Sequence, residues 1–400
     1  AWAGSRHDVR GREARSRHGL KPRADRLLAL SLASFLVFGV VLVLLGANQA
    51  DLAADLGLDL ARSGLLVAAL SLGLGVGVLG SGPLIDRRPR RPIFVAATLV
   101  TALALLLVDA SMGFARALLH VALVGVGMGV YETLLNASIG ERYRERSTKP
   151  LVLVHAAATL GAMLGAPAIG WIASRGHWVE SFQWTGAAHL ALVAGALVVR
   201  FPAPLRAREM AAAPEPAAPL SLGLLPFAII GFAYVGIESA LTIFAVPYAS
   251  DALQLGADRG RSAISAFWFG LLAARLALLP VRGRIDARYL VAAGLLGSAA
   301  LAAGIGLGWR QPELVFASVG VALGLVFPLM IALAGERFRD ARATAIGLVA
   351  GAGALGGFAI PWLHGALGDR AGVAAALASL ALWSLVIGAA ARAARRGDST

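Results

Sequence analysis

Apolar residues run along this chain in long blocks separated by short clusters rich in Arg, Gly, Pro and acidic residues. A bilayer core of ~30 Å is crossed by ~20 residues of helix. Twelve blocks approach or exceed that length: 27–49, 62–85, 92–109, 114–139, 149–173, 182–201, 221–249, 261–281, 288–308, 312–335, 343–367 and 371–393. The pattern therefore predicts an all-α membrane protein of twelve transmembrane helices. The block at 114–139 contains Glu132 and the block at 221–249 contains Glu238, and each is long enough to remain a span despite the acid.

The blocks fall into two sets of six. Between the sixth and seventh lies a stretch with Pro202, Pro204, Pro214, Pro216 and Pro219, a composition that reads as a linker without a core of its own. The expected organisation is a basic tail at 1–26, a six-helix bundle at 27–201, a linker at 202–220, a second six-helix bundle at 221–394 and a short tail at 395–400. The halves repeat at an offset of 195 residues. Gly125 falls on Gly320, Gly129 on Gly324, Gly161 on Gly356 and Gly170 on Gly365. Gly140-Glu141-Arg142-Tyr143-Arg144 falls on Gly335-Glu336-Arg337-Phe338-Arg339. Two parallel six-helix repeats around a pseudo-twofold axis are an architecture of secondary transporters.

Composition agrees with lipid as the solvent. Apolar residues make up 58% of the 400, charged residues 15%, and mean hydropathy is +0.74; soluble domains are about 45–50% apolar and about 25% charged. The net charge of +13 would suit nucleic acid, but its placement does not. With the N-terminus in the cytoplasm, the inner tails and loops hold 28 Lys and Arg and the outer loops seven. That asymmetry places both termini in the cytoplasm, in what is expected to be a bacterial inner membrane. The absence of Cys removes disulfides, Cys-zinc sites and thiol nucleophiles, and no His pair has the spacing of a helical metal site. Gly75-x-Gly77-x-x-Gly80 fits the dinucleotide pattern but lies inside an apolar helix with no strand before it. No phosphate-binding loop and no Ser/His/Asp set is legible. Neither an enzyme nor a cofactor is expected.

The turn after the second span reads Gly82-Pro83-Leu84-Ile85-Asp86-Arg87-Arg88-Pro89-Arg90-Arg91. It resembles the loop signature of the major facilitator superfamily, G-x-L-x-D-R-x-G-R-R/K, with Pro89 standing at the second Gly. Gly161-x-x-x-Gly165 followed by Pro167 and Gly170 in the fifth span is similar to that superfamily's Gly/Pro motif. The run Tyr234-Val235-Gly236-Ile237-Glu238 in the seventh resembles the fucose/glucose-type sugar–proton symporter branch. The resemblance implies two pseudo-symmetric six-helix bundles rocking about a central cavity.

A charged side chain at a helix centre costs ~2.5–3.5 kcal/mol on insertion scales, so acids inside spans are functional suspects. Glu132, Glu238 and His155 are the candidates for proton coupling. Glu132 has Asn136 one turn away, and Glu238 has Tyr234 and Thr242. Their repeat mates are apolar: Phe327 for Glu132, Ile331 for Asn136, Val43 for Glu238 and Ala350 for His155. The fold itself needs none of these polar groups. Asn136, Tyr131, Tyr234, Trp268, Asn48 and Gln49 are candidate substrate contacts. Asp86, Arg87, Arg90 and Arg91 are candidates for gating by pairing with a neighbouring helix. Arg275 is expected to gate by pairing with an acid or with backbone carbonyls. The expected function is secondary active transport of a small, polar, sugar-like solute with protons, by a monomer whose partners are solute, protons and lipid. The alternatives are proton-coupled efflux of hydrophobic or cationic compounds and a non-transporting membrane receptor on the same fold.

Overall fold

The computed structural model describes residues 25–203, 222–277, 286–338 and 342–396. The tail at 1–24, most of the linker at 202–220, and residues 397–400 lie outside the described residues. Each apolar block is helical over most of its described residues. The first half runs Arg26–Ala47, Leu60–Arg87, Arg90–Leu106, Phe114–Tyr143, Thr148–Ala173 and Trp178–Leu197. The second runs Leu225–Pro247, Ala257–Ala277, Arg288–Gly304, a broken span made of Pro312–Leu323 and Val326–Arg337, then Arg342–Ala371 and Val373–Arg396. Among the described residues eight spans are individually long and apolar enough to cross a bilayer. The other four are shorter or more polar and complete the two bundles.

Two expected boundaries need correction, each for a local reason. The first block does not continue to residue 49. It stops at Asn48, whose side-chain amide donates to the Leu44 carbonyl at 2.9 Å, and a separate short helix, Gln49–Leu56, follows. The tenth block is not continuous either. Pro328 lacks an N–H, so the carbonyl four residues earlier, on Gly324, has no helical donor, and the helix breaks at Gly324–Leu325.

The repeat read from the sequence is a repeat of packing. Gly125 presses on the Leu70 carbonyl of the second span, and its mate Gly320 on the Phe267 carbonyl of the eighth. Gly161 meets the Leu36 carbonyl of the first span, and its mate Gly356 the Phe232 carbonyl of the seventh. A Cβ at any of the four would collide with backbone, so these helix pairs approach only through glycine.

At one end of the molecule, carrying Asp51 and Asp369, the halves are in direct contact. The Asp369 carboxylate accepts from the N–H groups of Leu60 and Ala61, at 2.8 and 3.0 Å, and so caps the second span from the eleventh. Arg261 of the eighth span donates to the Ala47 carbonyl at 2.8 Å and to Asp51 at 3.1 Å. Gly64 lies against the Pro361 carbonyl, and Gly46 against that of Thr242. At the opposite end, beside Arg87–Arg91, no described atom lies within 4 Å of where a Cβ would stand on Gly80, Gly82, Gly347 or Gly351. Among the described residues the halves are closed together at the acidic end and parted beside these four glycines at the basic end.

Candidate functional site

Between the halves lies a cavity whose empty space, counted together with the solvent it opens onto, is about 1450 Å³. Its described walls come from the first, second, fourth and fifth spans of one half and the seventh, eighth, tenth and eleventh of the other. The remaining four spans contribute none of the described lining.

Six residues singled out by the sequence are brought together here: Glu132 and His155 from the first half, and Tyr234, Glu238, Trp268 and Arg275 from the second. Each is positioned by helix periodicity. Tyr234, Glu238 and Thr242 stand at successive i+4 positions and all face the cavity. The Thr242 hydroxyl is used on its own helix, donating to the Glu238 carbonyl at 2.8 Å. His155 is wedged against Phe35 edge-on, ring centroids 5.0 Å apart. Tyr234 packs on Phe327, the repeat mate of Glu132, at 5.9 Å.

Arg275 is the most heavily engaged of the six. Its Nε donates to the Gly324 carbonyl at 3.0 Å, the acceptor freed by Pro328, and a terminal nitrogen donates to the Thr159 hydroxyl at 2.8 Å. Thr159 belongs to the fifth span, so this guanidinium ties the two halves together at the cavity. Glu238, Tyr234 and His155 lie within its electrostatic reach. Among the described residues, neither cavity carboxylate is in an ion pair. The Tyr234 hydroxyl is buried beside Glu238 and Arg275, and the buried Trp268 Nε1 is unpartnered among the described residues.

Four candidate contacts stand elsewhere. Tyr131 is buried in the interior of the first bundle, packed on Phe38, Phe94 and His189, because it projects from the face of its helix that points away from the cavity. Asn48 is buried and donates to Ser181 at 2.8 Å, and Gln49 donates to Ser63 at 3.2 Å; both tie helices within the first half. Asn136, one turn beyond Glu132, is not among the residues lining the cavity. The expected cross-helix pairing of the arginine cluster is seen, but inside one half. Arg90, fully buried, forms a two-pronged ion pair with Glu141 of the fourth span, one arm at 2.8 Å. Arg91 donates to the Val199 carbonyl beyond the sixth span at 2.7 Å. Asp86 and Arg87 have no ion-pair partner among the described residues.

Sequence reasoning does not single out Thr159, Arg261, Asp51 or Asp369. A hydroxyl inside a span and charges at span ends are ordinary features, and their distinction is that each reaches across to the other half.

Residues 30–307 match the family model of the Major Facilitator Superfamily. No curated protein matches the sequence. Among solved structures, a D-xylose–proton symporter superposes with a TM-score of 0.72 at 16% identity, covering 92% of this chain and 96% of that one. A bacterial homologue of the human lysosomal transporter Spinster, inward-facing and occupied, gives 0.69 at 15% identity, with 94% and 98% covered. The nucleoside transporter NupG gives 0.69 at 14% identity, with 92% and 98% covered.

Proposed function

The chain belongs to the major facilitator superfamily, and from that premise we propose that it is a proton-coupled secondary transporter of a small, polar, sugar-like organic solute. The carrying observation is that each half contributes one carboxylate, Glu132 and Glu238, without an ion-pair partner among the described residues, to a cavity that lies between the halves. The basic end faces the cytoplasm on this reading, as the distribution of Lys and Arg requires, and the protein sits in a bacterial inner membrane as a monomer with both termini inside. The conformation is then the inward-facing one of an alternating-access cycle.

The chemistry follows from burial. A carboxylate that is closed off from water is disfavoured as an anion, so Glu132, with no cation beside it, crosses in its neutral form and releases its proton at the open end. Glu238, with Arg275 in reach, is the second proton site. A solute seated between the halves meets carboxylate acceptors on both sides and the Tyr234 hydroxyl and Trp268 N–H as donors. That set suits a molecule bearing several hydroxyls. The likeness of fold to a D-xylose–proton symporter supports the same class.

A second reading is efflux of hydrophobic or cationic compounds. It is favoured by the walls, where Phe38, Leu42, Leu70, Leu74 and Phe327 are apolar and two carboxylates face one Arg.

Purified protein in liposomes containing a pH-sensitive dye tests both. Sugar-dependent proton movement that disappears in Glu132→Gln is the expected result. Proton movement triggered only by cationic dyes gives the efflux reading first place. Solute flux without a proton signal, unchanged by the substitution, rejects proton coupling.

A further inference from the structure

The interior of the first bundle holds four polar side chains, and none of them is among the residues lining the central cavity. Ser34 of the first span, Thr98 of the third, Tyr131 of the fourth and His189 of the sixth are each 0% exposed. The three hydroxyls and His189 Nε2 have no hydrogen-bond partner among the described residues. Their positions converge on Tyr131. Its ring lies 6.0 Å from that of His189 and 6.2 Å from both Phe38 and Phe94. Ser34 is one turn from Phe38 on the first span, and Thr98 one turn from Phe94 on the third. The third and sixth spans cross where a Cβ on Gly186 would stand 3.0 Å from the Ala102 carbonyl, and Thr98 and His189 lie one turn further in from that crossing.

Two features set this group apart from ordinary polar residues in a span. The neighbouring hydroxyls of Ser31, Thr101 and Thr185 turn back on their own helices and donate to the carbonyl four residues before, at 2.8, 3.2 and 2.7 Å. Ser34 and Thr98 do not. The group also belongs to one half only. The repeat mates of Ser34, Thr98 and Tyr131 are Ile229, Ala293 and Val326. The mate of His189 is Ser384, which donates directly to the Gly294 carbonyl of the ninth span at 2.8 Å. The fold therefore does not demand these polar groups, and buried donors and acceptors left without a partner destabilise it.

We propose that Ser34, Thr98, Tyr131 and His189 hold an internal water site inside the first bundle, separate from the central cavity. The chemistry of the four selects the occupant. His189 Nδ1 lies 2.8 Å from the Thr185 carbonyl. A carbonyl only accepts, so Nδ1 carries the hydrogen, and Nε2 of the uncharged ring is left as an acceptor. The three hydroxyls can each donate or accept. None of the four side chains brings a full charge to hold an ion. Their complete burial shuts out organic molecules. A small neutral molecule that both donates and accepts fits, and a buried water makes about three such bonds. The water fastens the fourth span to the third and sixth, where the second half uses the direct bond from Ser384.

The site stands whether or not the protein moves protons, and the wild-type chain tests it. A short X-ray pulse splits water in place into hydroxyl radicals, and mass spectrometry reads which side chains have gained oxygen. Tyr131 is expected to be oxidised, and Phe244, equally buried in the second half, to be spared. Thr98→Val and Tyr131→Phe each remove one partner of the water with little change of shape. Each is expected to lower the melting midpoint in detergent by about 2 °C. Because the two share one water, the double variant falls by less than the sum of the singles. An unoxidised Tyr131, with midpoints that rise or stay level in both variants, shows a dry core and overturns the site. Coupled losses of midpoint with Tyr131 unoxidised show side chains bonded directly to each other, and overturn it as well.

Discussion

The sealed end carries, beside its glycine contacts, two polar attachments of different strength, and their removal gives a quantitative test of which conformation the structure represents. Arg261 has a side chain only 10% exposed and donates to Ala47, the last residue of the first span, as well as to Asp51. A hydrogen bond from a charged group is worth ~1.5–3 kcal/mol, and a half-exposed ion pair adds less than ~1 kcal/mol. Arg261→Met keeps the packing of the stem and loses about 2 kcal/mol of contact in the sealed state only. At ~1.4 kcal/mol per tenfold, the population opened at the acidic end rises ~30-fold. Asp369→Asn weakens an exposed cap on the second span, worth about 1 kcal/mol, and raises it ~fivefold. The residues lie on different helix pairs, so the double variant approaches the product, ~150-fold. The chain has no Cys, which makes the assay clean. Ser239 lines the cavity, and in oriented vesicles Ser239→Cys is alkylated by a membrane-impermeant maleimide added at the acidic end at a rate proportional to that population. A rate unchanged within about threefold in both Arg261→Met and the double variant would refute the assignment of these contacts as the seal.

Two further outcomes follow from the basic end. Glu141→Gln leaves the fully buried Arg90 with half its charge-assisted pairing; because Glu141 is partly exposed, the cost is about 2–3 kcal/mol, read as a lower midpoint in detergent thermal melts, while Arg90→Gln alone costs as much. Asp25 lies before the first span, where burial pulls its carboxyl up but the Tyr143 hydroxyl, Arg142 and the Leu27 N–H outweigh burial and hold it below the ordinary value of 3.8. A depressed carboxyl contributes stability that is full above 3.8 and lost as pH falls through the folded value; melting points of wild type and Asp25→Asn therefore differ at neutral pH and converge once the pH has fallen below that folded value.

Much of this is legible in the sequence, and the boundary of legibility is physical. Spans are announced by length and hydropathy because lipid leaves backbone groups no partner but the helix itself. The repeat is announced by glycines because Gly125 and Gly320, or Gly161 and Gly356, stand where no side chain fits. Glu132, Glu238 and Arg275 stand out because charges inside spans are costly. Tyr131, Asn48 and Gln49 show where the reasoning ends. A polar residue inside a span is satisfied equally by a cavity or by a neighbouring helix, and sequence gives its angle on its own helix but not which neighbour occupies that angle. The break at Gly324 is hidden for a related reason: Pro328 is visible, but prolines also sit within the unbroken helices Leu60–Arg87, Thr148–Ala173 and Arg342–Ala371.

Broken symmetry explains why the tenth span alone among the described ones is split in mid-course. Its mate in the first half, the fourth span, is unbroken and carries Glu132 where the tenth carries Phe327. One half thus places a carboxyl at this position and the other a bare carbonyl one turn away at Gly324, filled by Arg275. Both are acceptors inside the membrane, but only one can take up a proton. A carbonyl offers a fixed partial charge, whereas a carboxyl changes by a full charge. Dividing this pair into one titrating acceptor and one permanent acceptor gives the cavity a polarity. The first half carries a proton on a carboxyl with no cation beside it, and the second carries one on Glu238 within reach of a held guanidinium. On this argument, Phe327→Glu with Glu132→Phe leaves both carboxyls in the second half and none in the cavity wall of the first, and the liposome assay is expected to read solute flux with less proton movement than wild type; proton movement equal to wild type would refute it.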